Sequence, residues 1–176
     1  MKTVRSVAVG GLIAALYAAL TILLAPISYG PLQVRVSEAL TVLPFLTPVA
    51  IPGLYIGALL ANIFGGFGPW DIFGGSFLTL IAAYLTYLTR KTGKLWLAPI
   101  PPVLVNALGV SAYLQFLVEG FQPGLRTYFY FVGTIGLGEL IACFGLGYPL
   151  LRLLVKSGWV ERLAVPPKIK KKTRTK

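Results

Sequence analysis

The chain has 176 residues, 56% of them hydrophobic and only 12% charged, and its mean hydropathy is +0.79. Soluble domains carry about 25% charged residues, so no soluble domain fits this composition. The net charge of +11 collects at the ends of apolar stretches, which is a pattern of membrane topology and not a nucleic-acid signal.

A membrane helix needs about 20 mostly apolar residues. Six stretches approach that length, at residues 4–25, 36–47, 51–64, 72–89, 95–118 and 129–155. They predict an all-α, polytopic six-helix bundle over residues 1–160 and a basic tail over residues 161–176. Lys2 and Arg5 lie at the start of the first stretch, Arg90, Lys91 and Lys94 separate the fourth from the fifth, and Arg152, Lys156 and Arg162 lie at or beyond the end of the sixth. The alternate loops hold Arg35, Asp71, Glu119 and Arg126 and are roughly neutral. The positive-inside rule then places both termini and the loop at Lys94 in the cytoplasm of a multi-pass plasma-membrane protein. Lys168, Lys170, Lys171 and Lys172 of the tail are expected on anionic headgroups of the lipid bilayer, not on nucleic acid.

The first stretch contains Gly10, Ala14 and Ala18 at intervals of four, and Gly11, Ala15 and Ala19 likewise. Small residues at this spacing let helix backbones approach closely in lipid. Two readings follow: packing within the chain's own bundle, or a docking face for another membrane subunit. The next loop has turn chemistry at Tyr29-Gly30-Pro31. Arg35 and Glu38 stand three apart, so on a helix they would share a face and could pair, and Ser37 could cap the second helix. Pro44 lies inside that segment and Pro48 at its end. Such broken segments are tolerated where protein or a cavity satisfies the backbone.

Pro52 suits the first turn of the third helix, which runs to Asn62 and then meets Gly65, Gly66 and Gly68. That loop is read as structural or as a gate over an external site. Asp71 is expected as the N-cap of the fourth helix and Trp70 in an interfacial aromatic belt. Asn106 and Gln115 lie in the fifth stretch, where an amide joins helices or faces a ligand. Glu139 sits in the glycine-rich sixth. A carboxylate at the bilayer centre costs on the order of 3 kcal/mol, so Glu38 and Glu139, within apolar stretches, mark a polar interior.

The chain has no histidine and one cysteine, Cys143, read as a small packing residue. Imidazole metal sites, Ser-His triads and thiolate clusters are therefore excluded, and no motif for a nucleotide or other cofactor is present. Nothing marks a catalytic carboxylate pair, so the chain is not read as an enzyme. What remains is a polar set of Arg35, Glu38, Asn62, Asp71, Asn106 and Glu139, with Tyr29, Trp70, Tyr113, Tyr128 and Tyr130 among the nearby aromatics. Such a mixture suits a small, flat, polar molecule held by directed hydrogen bonds and stacking.

The strings YGPLQVRVSEALTVLP, AIPGLYIGALLANIFGG, WDIFGGSF and GTIGLGELIACFGLGYPLL resemble those of the QueT-type queuosine-precursor transporters, which are substrate-binding components of energy-coupling factor transporters. The resemblance covers roughly residues 5–156 and not the tail. It implies a protein that captures a 7-deazaguanine from outside. It also implies a partner module of one transmembrane coupling subunit and two cytoplasmic ATPases, with the small-residue face of the first helix toward the coupling subunit. Glu139 with Asn106 or Asn62 could then hold the base edge, with Glu38 or Asp71 nearer the ring substituent. The rival readings are a substrate component for another flat heterocycle and a stand-alone ion-coupled transporter.

Overall fold

The computed structural model of the protein describes residues 2–29 and 34–158. The turn at Gly30–Pro31 and the basic tail of residues 161–176 lie outside them. Among the described residues every regular element is helical.

Four helical stretches are long and apolar enough to cross a membrane: Val4–Leu23, Trp70–Thr92, Leu95–Leu114 and Leu125–Lys156. The other two expected spans are shorter, at Val36–Phe45 and Ala50–Gly65. At 1.5 Å per residue, the 16 residues of the second reach about 24 Å, less than the roughly 30 Å of a hydrocarbon core. Many large apolar side chains, including Val7, Leu12, Phe64, Phe77, Leu104 and Phe129, are exposed. That is the surface expected of a chain solvated by lipid tails.

Helix α1 (Lys2–Leu23) lies against α3 (Ala50–Gly65), with the single turn α2 (Ala25–Ser28) after α1. Glycine makes the α1–α3 approach possible. A Cβ on Gly53 would stand 2.6 Å from the carbonyl oxygen of Gly10, and one on Gly57 would stand 2.8 Å from that of Ala14. The two faces of α1 are thereby told apart. Ala14 and Ala18 are buried, with Gly10 partly so, whereas Gly11, Ala15 and Ala19 remain exposed.

The second segment is a 3₁₀ helix, Val36–Phe45, with Pro44 inside it. Proline donates no backbone hydrogen bond, and a 3₁₀ run of this length is uncommon. It survives because it is enclosed. It packs on α1, α3, α4 (Ser76–Thr89) and the 140–147 segment, and most of its side chains are buried. Val42, Phe45 and Leu46 form one apolar cluster with Ala98 and Leu151. Ser37 is inside this helix and does not cap it; its hydroxyl pairs with Thr21 of α1 at 2.6 Å.

α4 is preceded by a wide π turn, Trp70–Gly75. The last rod runs as α6 (Leu125–Glu139), a π segment (Leu140–Gly147) and α7 (Tyr148–Lys156). α5 (Ile100–Leu114) packs between α4 and α6. Its last residues, Val110 and Leu114, meet Phe131 and Ile135 of α6. Gln115, at the end of α5, turns back on its own loop: its Oε1 accepts from the Gly124 N–H at 2.9 Å. Both π segments adjoin a buried carboxylate, Asp71 within the first and Glu139 just before the second. π-bulges occur often at functional sites.

Candidate functional site

Polar side chains from several elements converge inside the bundle. Arg35 enters from the extended residue ahead of the 3₁₀ helix, with φ −84° and ψ 97°. It is therefore off the helix face, and the helical spacing that would pair it with Glu38 does not apply. Its Nη2 lies 3.8 Å from Asp71 Oδ2, and its Nη1 donates to Asn62 Oδ1 at 3.1 Å. Burial works against the guanidinium charge, but Asp71, aided by Tyr17, Tyr113 and Glu38, outweighs it and raises the Arg35 pKa.

Asp71 is not an N-cap. Pro69 occupies that position, and the π turn carries Asp71 inward, where it is 1% exposed. Its Oδ1 accepts from Tyr113 Oη at 2.7 Å. Asn62 ties the same corner, donating to the Asp71 carbonyl at 3.0 Å and to Ser76 Oγ at 3.3 Å. Gly75 is required here: a Cβ would lie 2.8 Å from Tyr113 Oη and 3.0 Å from Asn62 Nδ2.

The second half of the cluster holds two carboxylates. Glu38, 1% exposed, accepts a hydrogen bond at Oε1 from Tyr17 Oη of α1. Glu139 accepts at Oε1 from Asn106 Nδ2 at 2.9 Å and at Oε2 from Cys143 Sγ at 3.4 Å. Asn106 is thus a cross-helix partner for Glu139. Cys143 does more than fill space, since its sulfur also lies 3.4 Å from the Glu38 carbonyl oxygen.

Arg35, Glu38, Asn106 and Glu139 line one internal cavity of about 10 Å³, together with Gly75, Thr79, Val110 and Ile135. That is room for about one water molecule. Three polar atoms on its lining residues have no hydrogen-bond partner: Glu38 Oε2, Asn106 Oδ1 and Arg35 Nε. Two accept and one donates. Buried polar atoms are normally paired, so this concentration on residues lining one cavity marks it as the candidate site.

The structure brings six of the seven sequence-predicted residues into this cluster: Arg35, Glu38, Asn62, Asp71, Asn106 and Glu139. It does not bring Trp70, which is 71% exposed and lines a separate groove with Ala112, Tyr113, Phe116 and Leu117. Reasoning from sequence overlooked Tyr17 and underrated Cys143 and Tyr113. The signal for Tyr17 is a phenol within an apolar helix, since a buried hydroxyl there needs a partner.

Residues 7–156 match the QueT transporter family. The chain belongs to that family. It is 31% identical over 146 residues to the protein named queuosine precursor transporter QueT of Lactococcus lactis subsp. cremoris (strain MG1363), an alignment covering 76% of this chain and 82% of the relative. No solved structure matches. The match takes in all the elements that build the cluster, from α1 to α7, so the buried polar site belongs to the part of the chain shared with the QueT transporter family.

Proposed function

We propose that this protein is the substrate-binding component of an energy-coupling factor importer and captures a 7-deazaguanine precursor of queuosine. One observation carries the reading: the three unpartnered atoms on residues that line the cavity. A 7-deazaguanine offers N–H donors at N1 and the exocyclic amine, and an acceptor at O6. Glu38 Oε2 and Asn106 Oδ1 supply two acceptors, and Arg35 Nε supplies a donor. When Glu38 is ionised, its bond to the base is charge-assisted and the strongest of the three. Family membership and the relative's name support the same substrate class.

In this reading Glu139 acts through Asn106. A carboxylate accepts, so the amide turns its NH₂ to Glu139 and keeps its oxygen for the base. Asp71 and Asn62 hold Arg35. The cavity of about 10 Å³ is far smaller than a nucleobase. Binding therefore parts the walls, and the base replaces contacts made between side chains.

The protein carries no nucleotide motif of its own, and uptake is driven by a transmembrane coupling subunit with two cytoplasmic ATPases. Six spans with cytoplasmic termini orient the cluster toward the outside. The exposed row Gly11, Ala15 and Ala19 is the docking face, because small residues allow the close helix approach that association in lipid needs. Gly10, Ala14 and Ala18 support it from within by seating α1 on the bundle.

The test is thermal stabilisation of the detergent-solubilised protein across purines and 7-deazapurines. A ligand at 100 times its Kd stabilises by about 2.7 kcal/mol. Selective stabilisation by 7-deazaguanines supports the assignment, and selective stabilisation by another heterocycle replaces it. Uptake into proteoliposomes without ATPase subunits would contradict the importer reading.

A further inference from the structure

We propose that Tyr17 is a positioning residue for substrate recognition: it holds one oxygen of Glu38 so that the other is left for a ligand. This rests on the reading of Glu38 as a substrate contact.

The geometry is specific. Tyr17 is fully buried in α1, and its hydroxyl donates to Glu38 Oε1. Glu38 Oε2 makes no hydrogen bond, although the Asn106 side chain lies close to the Glu38 carboxyl, and Glu38 lines the cavity. A glutamate has three side-chain torsions, so a carboxylate without an anchor would sample several orientations inside a cluster that contains other hydrogen-bond donors. One fixed oxygen removes that freedom and decides which oxygen is left for a ligand.

The anchor is itself fixed. Thr21, one turn further along α1, donates to the Tyr17 carbonyl at 2.9 Å and pairs with Ser37 Oγ at 2.6 Å. α1 thus grips two consecutive residues of the 3₁₀ helix, Ser37 and Glu38. From the other side α3 closes in: a Cβ on Gly57 would lie 2.8 Å from Tyr17 Cβ. Tyr17 belongs to one apolar cluster with Leu54 and Ala58. A phenylalanine would keep that packing and lose only the hydroxyl.

The alternative is that Tyr17 merely fills the α1–α3 core. A double-mutant cycle separates the two, because residues that act through one another are not additive. Calorimetry with 7-aminomethyl-7-deazaguanine is run on the intact protein, Tyr17→Phe, Glu38→Gln and the double variant. Tyr17→Phe should weaken binding about tenfold, an effect of the size of one buried hydrogen bond. The double variant should bind within about twofold of Glu38→Gln alone, since without Glu38 the anchor has nothing to hold. Losses that multiply, or unchanged affinity in Tyr17→Phe, overturn the proposal.

A second readout needs no ligand. Tyr17→Phe should shift an infrared carboxyl band that is absent in the Glu38→Gln background. Should Tyr17→Phe fail to fold, fluorotyrosine at position 17 makes the phenol a stronger donor and should shift the same band the opposite way. An unmoved band overturns the positioning role whatever the ligand does. If the intact protein binds no 7-deazaguanine but the band shifts, the substrate reading fails and the Tyr17–Glu38 coupling stands.

Discussion

Asn106, which lines the cavity, donates its amide to Glu139 Oε1 at 2.9 Å, and its own Oδ1 is left without a partner. The bond joins α5 to the end of α6. It turns a glutamate in an apolar helix into the orienting group for a neighbouring acceptor. Glu38 stands differently, with one oxygen anchored on Tyr17 and the other free.

The two carboxylates should therefore respond unequally to the same change. Glu38→Gln converts the acceptor on the cavity into an amide and should weaken 7-deazaguanine binding by about ten- to a hundredfold, the equivalent of roughly 1.5–3 kcal/mol. Glu139→Gln can still accept from Asn106 and should lose less. Calorimetry on folded protein measures both. A larger loss in Glu139→Gln would make Glu139 itself the contact to the base edge.

Asp71 should matter chiefly for stability. Asp71→Ala strands the Arg35 guanidinium and the Tyr113 hydroxyl in a buried corner. Removing one partner of a buried ion pair typically costs about 3–5 kcal/mol, which for a chain of this size lowers Tm by on the order of 10 °C. A melting temperature within a degree or two of the parent's would show that the corner relaxes or hydrates.

Much of this was legible in the sequence, and the exceptions share a physical cause. Carboxylates and amides inside apolar stretches are so costly in lipid that their presence alone announced a polar interior, and Glu38, Asn62, Asn106 and Glu139 all lie in it. Asp71 was misread because helix-start patterns assume α geometry. A π turn shifts the register, and the side chain that would have capped the helix points inward. The spacing of Arg35 and Glu38 implies a shared face only on a helix, and Arg35 is extended, so its hydrogen bond and ion pair go to Asn62 and Asp71 instead. Tyr17 stayed hidden because a lone tyrosine in a lipid-facing pattern looks like any other aromatic. Trp70 belongs to a groove outside the cluster, and no feature of its sequence neighbourhood distinguishes the two positions.

The small residues of α1 should divide by face. Ala15→Trp places bulk on the exposed row and should abolish co-purification with the proposed coupling subunit and ATPases while ligand binding persists. Ala14→Trp drives a ring into the surface where α1 meets Gly57 and should impair folding. Normal co-purification of Ala15→Trp would move the docking face elsewhere.

Topology gives an independent check. Cysteines introduced at Lys94 and Gln122 should label from opposite sides of the membrane, the first from the cytoplasm and the second from outside. The native Cys143 is buried and should add little background. Labelling of both from one side would break the six-span arrangement.

The central claim is that a guanine-like edge meets the unpartnered atoms of the cavity. The most direct measurement compares, by calorimetry on the intact protein, a 7-deazaguanine with the analogue that lacks only its exocyclic amine. The analogue forfeits one donor and leaves a buried acceptor unpaired, which should cost about 1.5–3 kcal/mol and weaken binding roughly ten- to a hundredfold. Equal affinity for the two ligands, or no binding of either, would contradict the account.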